Sequence, residues 1–330
     1  MLIGISITRA TSVEATWTTL SLARAALARG HRVRFVEPWD FEVDDRGSLV
    51  ARMHAFDSPK TTPEEMARDL NEREAERRYV RLDTLDVFLI RASPFDANVL
   101  AFASMVKDQG VPVVNDPAGL LVVTHKGWLA SLRDVSTPPT LVTRSMTAAK
   151  LFQEKHRRPL VLKPARGSGG RDVHLVKRRD VEELEVAFAA VRATGDHVVV
   201  QTYVEEAEEG EKRLVWMDGE VLGGYLRRRA PGEFRHNLAQ GGIAETTKIS
   251  GVDQSVLALL TPHLLRAGVR IAGIDMIGPF VIEVNALNPG GAYHADRLHG
   301  TDISGTIVEK LTRSGAFDAT RTPPWDHLDP

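Results

Sequence analysis

Not one of the 330 residues is a cysteine. A disulfide framework, a thiolate metal centre and a cysteine nucleophile are therefore excluded, and covalent chemistry must use oxygen or nitrogen groups. Long apolar runs are missing too: the strongest, around 86–90 and 111–114, fall far short of the roughly 18 residues that span a bilayer. The chain opens directly on Leu2-Ile3-Gly4-Ile5, without a basic leader or a small-residue cleavage site, so retention in the cytoplasm is expected. There is no dominant sign of charge. The 42 Lys and Arg against 44 Asp and Glu leave a formal charge of -2. That gives no electrostatic reason to expect nucleic acid or an anionic membrane as a partner. The 11 histidines show no His-Glu-x-x-His spacing and Ser168 has no nucleophile-elbow context, which disfavours metalloprotease and serine-hydrolase chemistry. Internal repeats and low-complexity segments are absent from the sequence.

What is present is enough chain for two or three packed units. Residues 2–7 read as a buried strand, 18–29 as a helix closed by Gly30, and 33–36 as a second strand. Strands at 87–90 and 111–114 flank a helix at 97–108 stopped by Gly110, which predicts an α/β unit with a small parallel sheet. Between them, 63–82 is rich in Glu and Arg and reads as an exposed helix or mobile loop rather than core. Pro138-Pro139 punctuates the chain. A helix at 147–156 and a strand at 160–163 follow, the strand ending on Pro164. Next come a strand at 198–203, an acidic loop at 205–211 and a hairpin, 213–217 with 220–227, turned at Asp218-Gly219. A helix at 254–267 closed by Gly268 leads to a final hairpin, 271–277 with 280–284. The expected division is 1–122, 123–200 and 201–330.

Four groups of residues carry chemistry. In the first, Val161-Leu162-Lys163-Pro164 runs into Gly167-Ser168-Gly169-Gly170. Such a loop lets backbone N–H groups converge on phosphate oxygens while the lysine adds a point charge, although a flexible turn beside an ordinary lysine has the same composition. The second comprises Asp275, Glu283 and Asn285 in an apolar setting, where an unpaired carboxylate is costly. Oxygen ligands alone suit Mg²⁺ or Mn²⁺ rather than zinc; the competing possibility is the polar face of an edge hairpin. Metal binding requires Asp275 and Glu283 on one face. Direct pairing implies a three-residue loop, Gly278-Pro279-Phe280, whereas a two-residue Gly278-Pro279 turn would pair Asp275 with Ile282 and turn Glu283 away. The third group is Asn115-Asp116-Pro117 with Thr124-His125-Lys126-Gly127-Trp128, in which Lys126 opens a helix and offers a second phosphate contact. In the fourth, Arg227-Arg228-Arg229 precedes Arg235 and Asn237, and guanidinium forks bind carboxylates and phosphates bidentately. Strand alternation prevents all three consecutive arginines from facing one site.

Taken in order, these segments resemble the bacterial glutathione synthetases. The likeness is carried by Val114-Asn115-Asp116-Pro117, His125-Lys126, Val161-Leu162-Lys163-Pro164, the 167–170 glycine loop, Lys212-Arg213 with Asp218-Gly219-Glu220, the run 237–242, and Asp275 with Glu283 and Asn285. The resemblance implies an ATP-grasp fold: an N-terminal Rossmann-like substrate domain, a central α+β lid, and a C-terminal catalytic domain with ATP between the last two. It implies that Lys126 and Lys163 contact ATP phosphates under a cover formed by Gly167, Ser168, Gly169 and Gly170. Gln201, Tyr203 and Val204 would lie beside adenine and Glu211 at the ribose. Arg213, Lys163 and Asn285 would serve the transferred phosphoryl group, and Asp275, Glu283 and Asn285 would hold magnesium.

The implied reaction is ATP-dependent joining of a carboxylate to an amine through an acyl phosphate, in glutathione synthetases γ-glutamylcysteine to glycine. A ligase for another peptide or amino acid and a non-catalytic nucleotide-binding module are the alternatives. Small peptides or amino acids are the expected partners, and the oligomeric state stays open. Three features depart from the family pattern, one being that the first 60 residues match it only loosely. Where those enzymes follow the metal-binding Asn with Val-Thr-Ser-Pro-Thr-Cys, this chain reads Ala286-Leu287-Asn288-Pro289-Gly290-Gly291. Their Arg-x-Asp-Pro-Pro-Phe-Asp is the shorter Arg91-Ala92-Ser93-Pro94-Phe95-Asp96. Substrate choice is therefore expected at Arg91, Asn288, Gly290 and Gly291, with Arg229 and Arg235 as carboxylate contacts. Gly290 and Gly291 offer backbone donors or simply a tight turn.

Overall fold

The computed structural model describes residues 1–313, arranged on three sheets. The first unit runs β1 (Leu2–Ser6), α1 (Thr18–Ala28), β2 (Arg32–Val36), β3 (Phe41–Val43), β4 (Leu49–Phe56), α2 (Pro63–Asn71), β5 (Arg77–Arg81), β6 (Val87–Ile90), α3 (Ala97–Asp108) and β7 (Val113–Val114). Its strand order is β3-β4-β2-β1-β6-β7, with β5 on β4. The pairs β1–β2, β1–β6 and β6–β7 are parallel, as the βαβ pattern requires. Apolar residues fill β1 and β6 on both faces, so helices cover the sheet on both sides.

The stretch 63–82 is not the exposed segment its composition suggests. Helix α2 starts on a Thr62/Glu65 capping box and buries Met66, Ala67 and Leu70. Residues 77–81 form β5, antiparallel to β4, with Val80 inward and charged neighbours outward. A charged surface face concealed a narrow buried one.

The second sheet follows α4 (Pro117–Val123) and α5 (Lys126–Ser131). It comprises β8 (Thr140–Thr143), α6 (Met146–His156), β9 (Leu160–Pro164), β10 (His174–Val176), α7 (Val181–Ala193) and β11 (Val198–Thr202), in the antiparallel order β10-β9-β11-β8. The third has β12 (Glu211–Met217), β13 (Glu220–Arg228), β14 (Ile243–Glu245), α8 (Gly251–Arg266), β15 (Ile271–Ile277), β16 (Phe280–Asn285), α9 (Ala292–His299) and α10 (Ile303–Thr312), in the order β14-β13-β12-β15-β16. Strand β11 ends at Thr202, two residues past the expected boundary at 200. Helix α10 returns to the first unit, where Ile307 and Leu311 share a core with Leu20 and Leu27 of α1. Asn115 then fastens the first unit to the last sheet: its amide donates to Ile271 O and Ala286 O, both at 2.7 Å, and its oxygen accepts from Arg270 N and Ile271 N. That bracket fixes both ends of the hairpin that carries the site.

Candidate active site

The β15–β16 hairpin combines the two registers expected of it. Its turn is the short one, with Ile277 opposite Phe280 and Met276 opposite Val281. The register then shifts by one residue, and Asp275 pairs with Glu283 and Gly273 with Asn285. Ile282 is the extra residue of a β-bulge. Without it Glu283 would face away. Hairpin β12–β13 shifts likewise between Val215 and Trp216, which aligns Arg213 with Tyr225 and Glu211 with Arg227. Because Arg213 also pairs with Asp275, Tyr225, Arg213, Asp275 and Glu283 form one row across four strands.

Between the second and third sheets lies a cleft of about 810 Å³. Val161, Val173, Val204, Ala207, Ile277 and Ile282 give it apolar walls, while Lys126, Lys163, Arg171, Arg235, Glu211 and Glu283 supply its charge. Lys163, on β9, is buried and donates to Gln201 Oε1 at 3.2 Å, and Gln201 in turn donates to Thr140 Oγ1 at 2.9 Å. Burial lowers the Lys163 pKa, opposed first by Glu283. Lys126 Nζ lies 3.3 Å from Glu283 Oε1 and donates to Gly167 O at 2.7 Å. Of the residues expected around a nucleotide, Lys126, Lys163, Gly167, Ser168, Gly170, Gln201, Tyr203, Val204 and Glu211 all line this cleft.

The glycine loop separates the cleft from a second chamber. Gly169 and Gly170 have φ of 69° and 73°, where side chains other than glycine's are strained. A Cβ on Gly170 would approach Asn237 Oδ1 to 2.6 Å. The loop is held against the 235–240 segment: Gly170 O accepts from Arg235 Nη1 at 2.8 Å and Gly169 O from Gln240 Nε2 at 3.2 Å. Arg235 therefore belongs to the first cleft, not to the second chamber where a substrate carboxylate was expected, and its guanidinium pairs with Glu233 at 2.6 Å. Arg229 lines neither cavity and pairs with Glu208. Both lie past the end of β13, so they leave the sheet face that carries Arg227.

The second chamber, of about 940 Å³, contains Arg91, Arg213, Asn285, Asn288, Gly290 and Gly291, and shares Glu283 and Asn237 with the first. At its base Asp275 is enclosed by cations. Its Oδ2 accepts from Arg213 Nη2 at 2.7 Å and Asn285 Nδ2 at 3.1 Å, and its Oδ1 meets Arg213 Nε and, at 2.6 Å, Arg227 Nη2. Burial alone would raise the Asp275 pKa; Arg213 and then Arg227 outweigh it and hold the carboxyl below its usual range. Glu211 behaves oppositely. Arg227 pairs with it, yet burial and the neighbouring Asp275 raise its pKa to about 7. Two buried carboxylates share Arg227, which favours the neutral form of one of them.

Arg91 is 5% exposed, donates from Nε to Thr19 Oγ1 at 2.8 Å and from Nη2 to Pro289 O at 3.0 Å, and has no carboxylate partner among the described residues. Burial alone lowers its pKa to about 9. It remains a cation at neutral pH, facing a cavity. Gly291 has φ of 126° and its N–H donates to Thr18 Oγ1 at 3.1 Å, so it serves the turn and its donor is already used; at Gly290 a Cβ would meet nothing within 4 Å. Arg227, one of the three consecutive arginines singled out in the sequence, lines the chamber, as do Tyr225, His294 and Trp17, which sequence reading passed over. For Arg227 and Tyr225 the signal was strand alternation on β13, hidden by the bulge.

A parallel-sheet unit followed by two antiparallel sheets that grip a cleft between them defines an ATP-grasp ligase, and solved structures of low identity share this fold. The D-cycloserine synthetase DcsG superposes with a TM-score of 0.66 at 18% identity, over 94% of this chain and 99% of that one. The ATP-grasp ligase PsnB, complexed with a phosphomimetic variant of its minimal precursor, Mg and ADP, gives 0.58 at 16% over 93% and 97%. Residues 3–120 match the prokaryotic glutathione synthetase N-terminal domain and residues 127–300 the prokaryotic glutathione synthetase ATP-grasp domain. A glutathione synthetase of Xanthomonas campestris pv. campestris is 31% identical over 311 residues, 89% of this chain and 92% of its own length. One from Pseudomonas putida is 31% identical over 303 residues, 89% and 92% of the two chains. The chain belongs to the prokaryotic glutathione synthetase family and is an ATP-dependent ligase that forms C–N bonds. No helix among the described residues is long and apolar enough to cross a membrane.

Proposed function

We propose that this ligase joins γ-glutamylcysteine to glycine. The observation that supports it best is the pair of cavities meeting at Glu283: a cleft with two lysines beside apolar walls, and a chamber holding the unpaired Arg91. A carboxylate is a poor electrophile until it carries a leaving group. In the proposed sequence its oxygen attacks the γ-phosphorus of ATP, ADP departs, and the glycine amine then attacks the acyl carbon, expelling phosphate and losing a proton. Lys126 and Lys163 offset the phosphate charge, the glycine loop keeps water from the acyl phosphate, and Arg213 faces the developing negative oxygens. Tyr203 and Val204 flank adenine and Glu211 receives the ribose. Glu283 and Asn285, which open to the chambers, together with Asp275 behind them, form an all-oxygen set that fits Mg²⁺. When bound, the ion neutralises phosphate charge. Incubation with ATP, γ-glutamylcysteine and glycine is expected to give ADP and tripeptide in equal amounts by mass spectrometry. ADP release with other amines but none with glycine would replace the substrate and leave the ligase.

Two substitutions separate the chambers. Lys163→Ala removes a charge-assisted contact worth about 1.5–3 kcal/mol, so calorimetry should show ATP binding weakened roughly 10- to 100-fold. Unchanged affinity would contradict the phosphate role. For Arg91→Met we expect KM for the dipeptide to rise about tenfold or more, with KM for ATP within about twofold. A lower melting temperature with both KM values moved alike would make Arg91 a structural residue instead.

A further inference from the structure

Away from both cavities, the first sheet encloses a polar cluster that the ligase chemistry does not use. Glu37 follows β2, Asp40 precedes β3, and His54 lies on β4; they are 1%, 8% and 2% exposed. Each places one ligand-type atom within 4.8 Å of those of the other two. Their hydrogen bonding is incomplete. Glu37 Oε1 accepts from Ala10 N at 2.8 Å, but Oε2 is 3.4 Å from His54 Nε2, beyond the ordinary N–H···O range. Asp40 Oδ1 pairs with Arg77, whereas Asp40 Oδ2 and His54 Nδ1 are buried with no partner. The unmatched oxygen of Asp40 and nitrogen of His54 therefore sit where water does not reach them. Buried polar groups are otherwise hydrogen-bonded, and buried charges are paired or coordinate metals.

We propose that Glu37, Asp40 and His54 bind a divalent metal ion of the zinc type. One imidazole with two carboxylates suits Zn²⁺, while Mg²⁺ takes all-oxygen octahedral sites. A tetrahedron with metal–ligand bonds of roughly 2.1 Å has an edge of about 3.4 Å, so the observed Glu37–His54 gap lets both atoms ligate as they stand. The ion joins Glu37 Oε2 to His54 Nε2 and occupies the unmatched lone pair of Asp40 Oδ2. Through Glu37, which holds the Ala10 amide, it ties the β2–β3 connection and β4 to the segment leading into Thr16, Trp17, Thr18 and Thr19 on the second chamber's wall. A rival cluster, His125 with Asp196 and His197, lies nearer the surface, and two of its residues are partly engaged: His125 Nδ1 accepts from Gly127 N, and Asp196 accepts from the amides of Arg166 and His197.

The test uses the full chain, stripped with EDTA and equilibrated with Zn²⁺ in excess Mg²⁺. Elemental analysis should find one Zn²⁺ per chain, with a higher melting temperature, both in the wild type and in His125→Asn/His197→Asn. Folded His54→Gln and Asp40→Asn proteins should retain zinc at least about tenfold more weakly against a chelator. Zinc absent from the wild type, bound equally by both single variants, or lost only from the His125/His197 variant would overturn the proposal. Should the single variants not fold, Co²⁺ added to the wild type decides: tetrahedral visible bands support the site and a six-coordinate spectrum rejects it.

Discussion

Glu283→Gln is expected to lower kcat about 100-fold or more, a loss on the order of 3 kcal/mol, while the fold persists. Gln keeps the shape and an acceptor for Lys126, which lies 3.3 Å from the native carboxylate. What it removes is charge at the one acidic side chain, among the described residues, shared by both cavities. Two consequences follow from that position. The neutral amide is a weaker ligand for a hard cation, so raising Mg²⁺ should restore part of the turnover. It also leaves the Lys126 ammonium without its carboxylate, so metal-free nucleotide should bind as well as before or better. Turnover near wild type at ordinary Mg²⁺ would remove Glu283 from the metal set.

The same residue shows how much of the site could be read in advance. Lys163, the glycine loop and Lys126 were legible because their chemistry is local: a strand, a loop or a helix start places each one. Asp275 and Glu283 were legible as residues, but their juxtaposition depends on Ile282, and no local signal marks where an extra strand residue will be absorbed. The compensation is mechanical. The bulge that turns Glu283 inward also puts Ile282 on the wall of the first cleft. Arg227 was obscured for the same reason, since an unshifted hairpin would place Leu226 opposite Glu211. Arg229 and Arg235 were chosen for the chemistry of their guanidinium groups, and nothing local in the sequence says that both lie past residue 228, where β13 ends. In the N-terminal unit, the strands at 41–43 and 49–56 are short or interrupted by charged residues, and only their pairing with β2 and β5 reveals them.

Asp275→Asn should act on stability as strongly as on catalysis. Arg213 and Arg227, 9% and 4% exposed, both direct guanidinium nitrogens at this carboxylate, and the amide leaves Glu211 as their remaining buried counter-charge. Removing one partner of a buried pair costs about 3–5 kcal/mol. The pH dependence identifies the cause. Asp275 is held below its usual pKa, so its stabilisation is present above the unfolded value near 3.8 and is lost as pH falls through the folded one. Glu211 has the opposite sign: raised from 4.5 to about 7, it favours the fold below 4.5, and that contribution is lost as pH rises through 7. Wild-type stability from this cluster should therefore peak near pH 4–5 and decline on either side. In Asp275→Asn the acid limb disappears. The neutral limb should flatten as well, because Asp275 no longer repels Glu211 and two guanidinium groups now favour its ionised form. Urea unfolding midpoints measured from pH 3 to 8 test both limbs. Parallel wild-type and variant curves, or a loss below about 1 kcal/mol at pH 7, would mean that the arginines are solvated and that Asp275 does not hold the base of the site together.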